Sequence, residues 1–321
     1  MQKFELKPRY DVVVIGAGVG GLTAAALLSK AGYSVCVLER ETRLGGYLAG
    51  FRRGNFRFDT AIHWLNQCGP EGLVGKIFDA LGTDHPNAVN QKRIRRYKGE
   101  NFDYLLTNNP DELKDRLITE FPNDKKGIEK FFIAAKRLGN SFNHFNNIFR
   151  SEETMSFFER VTNKWRLLKF VIPFIPFITY SGEKGLNRGL NRFFKDRKLH
   201  KLFASETELL SCLVPIGWAY FGDFQSPPIG GSQVIPDWLN HIITYFKNQV
   251  ILKANVNEII LDNGRCKGVR FEHRGNKFQV ESKYVIAACD VETLYEKMLP
   301  ADAVPAALKY KLRRAELYSS S

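Results

Sequence analysis

Residues 11–46 constrain the fold more than any other part of the chain. An uninterrupted apolar, β-branched run at residues 12–15 is typical of a strand that is buried on both faces. The loop Gly-Ala-Gly-Val-Gly-Gly follows at residues 16–21, and an Ala- and Leu-rich stretch at residues 23–30 predicts a helix. A second apolar strand is predicted at residues 33–38. This order of strand, loop, helix and strand predicts an α/β fold with a parallel sheet.

The glycines of the loop have separate physical roles. Gly16 permits a tight turn out of the strand, Gly18 lets the backbone approach a pyrophosphate, and Gly21 lets the helix pack closely on the sheet. The N–H groups and the dipole at the start of the helix, where Gly20 also lies, attract phosphates. Glu39, about 20 residues beyond the glycines, can accept hydrogen bonds from ribose hydroxyls. The unit is therefore a predicted dinucleotide site, and its acid disfavours a 2′-phosphate and hence NADP.

The residues that follow Glu39 narrow the choice of cofactor. Arg40, Arg43, Gly45 and Gly46 complete the pattern E-R-x-x-R-x-G-G that Glu39 begins. This pattern resembles the dinucleotide-binding motif of FAD enzymes related to amine oxidases, GDP-dissociation inhibitors and phytoene desaturases. The resemblance implies FAD rather than NAD, with the glycine pair and the basic residues lying along the flavin diphosphate.

A second segment extends the resemblance. Residues 50–59, GFRRGNFRFD, are similar to a segment of the phytoene desaturase, carotenoid isomerase and retinol saturase group, and the chain is identified as a member of that family. The resemblance implies that residues 59–65 pass close to the flavin ring, which makes Asp59 and His63 candidate catalytic residues. The alternative is that Asp59 caps a turn or a helix start and that His63 is a packed histidine.

The segment from residue 228 onward again resembles this family, and the resemblance implies that the backbone near Val256 contacts the adenine side of FAD. We therefore expect an α/β protein: a Rossmann-like FAD-binding domain, with a parallel sheet and a β-hairpin insertion, that carries an inserted, mostly helical α+β substrate domain. The expected boundaries are residues 1–84 for the first part of the FAD domain, 85–224 for the substrate or membrane-facing domain and 225–321 for the second part of the FAD domain.

Chains of this family are usually longer and end with a further glycine-containing segment and a helix that faces the flavin. This sequence stops at Ser321, soon after the Ala-Ala-Cys-Asp segment of residues 287–290. We expect it to be a C-terminally truncated fragment or a degenerate member. A fragment is expected to bind FAD weakly or not at all.

The charge of the chain favours anionic partners. The net charge is +13 over 321 residues. No nucleic-acid motif is visible, so a membrane surface is the better interpretation. Residues 160–201 hold 11 Lys or Arg against 2 Asp or Glu, and they include the apolar run FVIPFIPFI at residues 170–178. This combination suits an anionic lipid interface, while the apolar run suits a substrate tunnel or a core equally well.

The sequence does not predict an integral membrane protein. The first ten residues contain no apolar signal-peptide core, and the longest apolar run is far shorter than the roughly 20 residues that span a bilayer. The cysteines and histidines show no metal-ligand spacing. We expect a cytoplasmic protein that is peripheral to the membrane.

The function that the resemblance implies is flavin redox chemistry on a long apolar polyene lipid, by desaturation, saturation or isomerisation. Two alternatives stay open: a flavin-free lipid-binding protein of the GDP-dissociation-inhibitor type, and an amine oxidase. The intact glycine loop and the pair Gly45 and Gly46 favour a bound flavin. The sequence does not determine the oligomeric state.

Overall fold

The computed structural model describes residues 6–62, 64–69, 72–145, 152–203, 205–222 and 226–315. The chain divides into two compact units. The first unit consists of Met1–His63, Asp79–Asn87 and Pro228–Ser321, and the second consists of Trp64–Phe78 and Ala88–Pro227.

This division differs from the expected boundaries mainly in residues 64–78, which group with the second unit rather than with the nucleotide domain. A pair of backbone hydrogen bonds joins Leu65 to Ser226 within this second unit. The Leu65 N–H donates to the Ser226 carbonyl at 3.0 Å, and the Ser226 N–H donates to the Leu65 carbonyl at 2.8 Å. Contacts across such a sequence distance carry no local signal.

Ten strands and eleven helices are assigned in the described part of the chain. The strands are β1 (Arg9–Ile15), β2 (Val35–Leu38), β3 (Gly50–Arg53), β4 (Phe56–Asp59), β5 (Arg93–Gly99), β6 (Phe102–Thr107), β7 (Gln249–Ile251), β8 (Ala254–Asp262), β9 (Arg265–His273) and β10 (Asn276–Ala287). The helices are α1 (Val19–Lys30), α2 (Leu73–Leu81), α3 (Pro110–Glu120), α4 (Lys125–Phe145), α5 (Phe157–Val171), α6 (Gly182–Asn191), α7 (Arg197–Lys201), α8 (Leu209–Phe221), α9 (Val234–Tyr245), α10 (Val291–Thr293) and α11 (Ala306–Arg314).

The first unit is built on a six-stranded sheet in the order β7-β2-β1-β10-β9-β8. Strands β7, β2, β1 and β10 are parallel, while β10, β9 and β8 form an antiparallel meander. Val13 and Val14 on β1 are fully buried, because the strand lies in the interior of the sheet and is covered on both faces. Helix α1 packs beside α9. The predicted α/β class and Rossmann-like sheet are confirmed.

Local turn chemistry accounts for the meander. Asn263 and Gly264 both adopt positive φ, at 51° and 72°. This is the conformation of a type I′ hairpin turn, which the Asn-Gly pair favours. Strand β10 is long enough to join the two parts of the sheet, since its first half pairs with β9 and its second half pairs with β1.

The second unit is mainly helical and carries the two-stranded β5–β6 hairpin. Its core contains fully buried aliphatic and aromatic side chains, among them Leu106, Ile128, Phe131, Leu138 and Leu213. Helices α4 and α8 approach so closely that a Cβ added at Gly139 would overlap the carbonyl oxygen of Gly217. In the part of the chain that the structure describes, no helix is long and apolar enough to cross a bilayer.

Candidate dinucleotide-binding site

A cavity of about 740 Å³ opens at the N-terminus of α1, within the first unit. It lies beyond the carboxyl ends of the parallel strands β1, β2 and β10, and Ile15, Leu38 and Ala288 at those ends line it. Ligands of open α/β sheets bind at this edge, and ligand cavities commonly measure about 300–1,000 Å³. We call this space the α1 cavity.

Two glycines of the first loop allow the backbone elements to meet. Gly16 has φ +100°, and a Cβ there would lie 2.6 Å from the carbonyl oxygen of Ala288. A Cβ at Gly21 would overlap the carbonyl oxygen of Gly16. Side chains at these two positions would push α1 away from the sheet.

Gly18 and Gly20 differ from those two glycines, because an added Cβ would meet no atom within 4 Å at either position. Gly18 is the N-cap of α1 and lines the α1 cavity. Gly20 lies in the first turn of α1 and does not line the cavity. The missing side chain at Gly18 therefore leaves room beside the free N–H groups of the helix, which is the space that a pyrophosphate needs.

The second glycine pair forms the facing wall. The Gly45 N–H donates to the carbonyl of Ala17 at 2.8 Å, and Gly45 bridges to Gly18. A Cβ on Gly46 would lie 3.3 Å from the Cα of Gly18. Both glycines of the pair have positive φ, at 109° and 56°. The two motifs thus meet as bare backbone, and together they make a wall without side chains.

Glu39 is a buried carboxylate at the end of β2, with 8% of its surface exposed. Its Oε2 accepts a hydrogen bond from the Ala17 N–H at 2.6 Å, and its Oε1 accepts one from the Glu41 N–H at 2.8 Å. An ionised carboxylate has about four acceptor sites, so Glu39 retains capacity for the two hydroxyls of a ribose. Its backbone contacts fix its orientation in the cavity wall.

The other predicted site residues fall into three groups. Arg40 lines the α1 cavity and forms an exposed ion pair with Glu41, with 3.3 Å between Nε and Oε1. Val256, on β8, is buried and also lines the α1 cavity. Arg43 and Asp59 line a separate cavity of about 560 Å³ beside the β3–β4 hairpin, which we call the hairpin cavity. His63 lies outside the described residues.

Asp59 is engaged in a local structural role. Its Oδ1 accepts hydrogen bonds from both the N–H and the hydroxyl of Ser232, each at 2.8 Å. These bonds tie the end of β4 to the turn that precedes α9, and this contact corresponds to the turn-capping alternative. Arg43 donates from Nη1 to the carbonyl of Gly50 at 3.2 Å. The structure does not bring Arg43 or Asp59 to the α1 cavity.

The segment that follows β10 contributes lining residues that the sequence analysis did not assign, namely Ala288, Cys289 and Asp290. Asp290 caps α10 by accepting hydrogen bonds from the N–H and the hydroxyl of Thr293, each at 2.8 Å, and these bonds lower the pKa of Asp290. Burial raises the pKa of the Cys289 thiol. No local sequence pattern marks this role, because it depends on the parallel pairing of β1 with β10, which places the residues after both strands at one edge.

Anion binding in the α1 cavity depends on backbone groups. Among the described lining residues, the carboxylates of Glu39, Glu41 and Asp290 outnumber the guanidinium of Arg40. A pyrophosphate there would be held by N–H groups and the helix dipole rather than by a cluster of cations. No group of three or more His, Cys, Asp or Glu side chains that could hold a metal ion occurs among the residues that the structure describes.

Comparison with known proteins agrees with this geometry. Residues 14–81 match the family model of the NAD(P)-binding Rossmann-like domain. Prolycopene isomerase 2, chloroplastic, of an Oncidium hybrid cultivar is 25% identical to the chain in an alignment that covers 94% of this chain and 52% of that protein. Human all-trans-retinol 13,14-reductase is 26% identical in an alignment that covers 93% of this chain and 50% of that protein. The chain is therefore similar to a prolycopene isomerase and to an all-trans-retinol 13,14-reductase.

Each of these matches runs through both units, since it covers more than nine tenths of the chain. The chain spans about half the length of the curated relatives it matches. An oxidoreductase from Methanosarcina mazei has a similar fold, with a TM-score of 0.59 and 20% identity over 94% of this chain and 64% of that chain. The family model and the geometry agree most directly in residues 14–62 of the first unit, which hold both glycine motifs.

Proposed function

We propose that the chain is part of an FAD-dependent oxidoreductase that desaturates, saturates or isomerises a long apolar polyene lipid. The observation that carries the proposal is the bare backbone wall of the α1 cavity, where Gly18 meets Gly45 and Gly46. Two glycine motifs that face each other at a helix N-terminus leave room for a diphosphate that is flanked on both sides. The relatives named above act on prolycopene and all-trans-retinol, which are both conjugated polyenes.

The residues that would hold FAD follow from the cavity. The N–H groups at the start of α1 would bind the pyrophosphate beside Gly18, and Glu39 would accept hydrogen bonds from the ribose hydroxyls. Val256 and its strand would contact the adenine side. Bound FAD supplies hydride or electron transfer, and the protein contributes orientation and exclusion of water.

The second unit is the proposed substrate-binding part, corresponding to the expected domain of residues 85–224. We propose an apolar lipid as its ligand and a cytoplasmic location next to a membrane. A proton-transfer role for Asp59 or His63 stays a prediction, and the two hydrogen bonds that Asp59 accepts from Ser232 favour an anchoring role for it. A flavin-free lipid binder and an amine oxidase are the less favoured functions, because the glycine walls are intact and the named relatives act on polyenes.

Binding of ADP and of FAD to the purified chain tests the cofactor. ADP carries the pyrophosphate, ribose and adenine that the α1 cavity would hold, so its binding does not require any contact with the flavin ring. We expect ADP and FAD to compete for one site. The cofactor proposal fails if neither ligand binds.

Turnover tests the substrate class separately. The chain loaded with FAD is mixed with a cis-carotenoid, with all-trans-retinol or with a primary amine, and the products are separated by chromatography. FAD is supplied in large excess, because weak FAD binding is expected of a fragment, and we expect conversion of a polyene and none of the amine. Oxidation of the amine alone would replace the polyene proposal with the amine oxidase.

A further inference from the structure

Helix α5 in the second unit carries an apolar surface that the proposed function does not use. The helix starts with a capping box, in which the Ser156 Oγ accepts from the Glu159 N–H at 3.4 Å and the Glu159 carboxylate accepts from the Ser156 N–H at 2.8 Å. It ends at Val171, two residues before Pro173, where a proline disfavours further helix. Although the helix has 15 residues, none of them is buried.

Six exposed apolar residues between Phe157 and Ile172 form one continuous stripe. At 100° per residue these six fall within a band roughly 100° wide on one side of the helix, and Leu167 and Val171, which are 47% and 36% exposed, lie outside this band. Phe158 is 80% exposed and Trp165 is 60% exposed, which is unusual for side chains of this size. We call this surface the outer stripe; it consists of Phe157, Phe158, Val161, Trp165, Leu168 and Ile172.

The opposite side of the helix is packed against the protein. The ring of Phe170 lies 5.3 Å from that of Phe142 and 5.1 Å from that of Phe145, both on α4. Phe174, just beyond the helix, is 5.2 Å from Phe170 and packs against the core of the second unit. The outer stripe therefore faces away from the contacts that hold α5 in place.

The apolar run at residues 170–178 follows the same division. Its aromatic residues Phe170, Phe174 and Phe177 are only partly exposed and contact other rings. Its aliphatic residues Ile175 and Ile178 are 54% and 55% exposed. The sequence allowed either a core or a membrane surface for this run, and the structure divides it between a packed side and an exposed side.

Cationic side chains border the outer stripe on both edges. Arg160 and Lys164 lie along one edge, Lys169 lies along the other, and all three are exposed. Glu159 is the one acidic residue within α5, and its carboxylate is bound in the helix cap. An exposed stripe of Phe, Trp and Leu between rows of cations complements the apolar edge and the anionic headgroups of a lipid surface.

We propose that the outer stripe docks on an anionic phospholipid bilayer, with Phe158 and Trp165 inserted at the boundary between headgroups and acyl chains and Lys164 and Lys169 on the lipid phosphates. An acidic protein surface would suit the cations but would not require a band of large apolar side chains between them. This docking rests on the proposed location next to a membrane and names the surface that makes the contact, but it needs neither flavin nor polyene.

Co-sedimentation of the full chain with vesicles tests the proposal. We expect binding to vesicles of phosphatidylcholine mixed with phosphatidylserine, weaker binding to phosphatidylcholine alone, and a further decrease as salt is added. Phe158→Ser is expected to weaken binding about tenfold. The matched control is Tyr245→Ser, which removes an aromatic ring that is 74% exposed on α9 and should leave binding unchanged.

Charge variants test the edges of the stripe. Lys164→Gln and Lys169→Gln are each expected to weaken binding to the anionic vesicles about fivefold, since each cation near an anionic surface contributes about that factor. Lys126→Gln removes an exposed charge from α4 and should have no effect. Equal losses in all three variants would overturn the proposal, because only net charge would then matter.

The depth of insertion gives an independent measurement. Lipids with bromine on the acyl chains quench nearby indoles, and the chain has four tryptophans. We expect quenching on binding, and Trp165→Phe should retain binding while losing most of the quenching. The proposal is overturned if the vesicles do not bind the chain, or if Phe158→Ser instead dissociates a dimer in sedimentation velocity, which would make the outer stripe an interface between copies.

Discussion

Replacement of Gly18 by aspartate separates the function of the α1 cavity from the stability of the fold. Gly18 is the N-cap of α1 with φ −68°, a conformation that any residue adopts, and an added Cβ would meet no atom within 4 Å. Aspartate is also a favoured N-cap residue. Gly18→Asp is therefore expected to fold as stably as the natural chain.

The same change should abolish dinucleotide binding. A side chain at Gly18 would displace the pyrophosphate from the N–H groups of α1, at a cost of about 1.5–3 kcal/mol for each charge-assisted hydrogen bond that is lost. The added carboxylate would also repel the phosphates, by about 4 kcal/mol for unit charges about 4 Å apart near a protein surface. Either effect alone lowers affinity at least tenfold, and both together exceed a thousandfold, since 1.4 kcal/mol is about a factor of ten.

The matched control is Gly20→Asp. This variant adds the same charge to the first turn of α1, at a position that is also open but does not line the cavity. Its exposed carboxylate is screened by water, so we expect a loss below about 1 kcal/mol. The assay is titration with ADP or FAD by calorimetry, with thermal unfolding to compare the folds. The reasoning is refuted if Gly18→Asp binds within about threefold of the natural chain, or if Gly20→Asp loses as much affinity.

Three further predictions concern packing, pH and accessibility. Gly139→Ala should lower the free energy of unfolding, measured in urea, by about 3 kcal/mol, because the added Cβ would overlap the carbonyl oxygen of Gly217. An unchanged urea midpoint of unfolding would contradict the close approach of α4 and α8. A hydrogen bond from Lys114 lowers the pKa of Asp111 in the folded protein. Ionised Asp111 therefore stabilises the fold above its unfolded pKa of about 3.9, and this contribution is lost as the pH falls through its lower pKa in the folded state. Asp111→Asn should therefore cost at most about 1 kcal/mol at neutral pH and nothing in strong acid, whereas a pH-independent cost would point to packing. Because burial raises the pKa of the Cys289 thiol, alkylation of Cys289 should be slow at neutral pH and faster at higher pH. Since Cys289 lines the α1 cavity, ADP should block this alkylation, as measured by peptide mass spectrometry. Labelling that ADP does not change would contradict the assignment of the cavity as the ligand site.

The part of the site that sequence analysis predicted is the part with a local signal. The strand, the glycine loop and the helix are contiguous, and the helix begins at Val19, four residues earlier than expected, because the last two glycines of the loop already have helical conformation. Gly45 and Gly46 also lie close to the first loop in sequence. The α1 cavity could be predicted from these residues because its main walls come from one continuous stretch.

The rest depended on contacts between distant residues. The partner of Asp59 is Ser232, which lies 173 residues further along the chain. The lining role of Cys289 follows from the register between β1 and β10, which no local pattern specifies. Strand β5 was missed because its Arg-rich sequence lacks the alternation of apolar and polar residues that marks a strand. Likewise, periodicity shows that α5 has an apolar side but not which of its sides is packed.

A structure of the chain with ADP or FAD bound tests the central claim most directly. We predict the pyrophosphate against the N–H groups at the start of α1, between Gly18 and Gly45, with the ribose hydroxyls on the carboxylate of Glu39. Ligand density in the hairpin cavity beside Arg43 and Asp59, with the α1 cavity empty, would contradict the account.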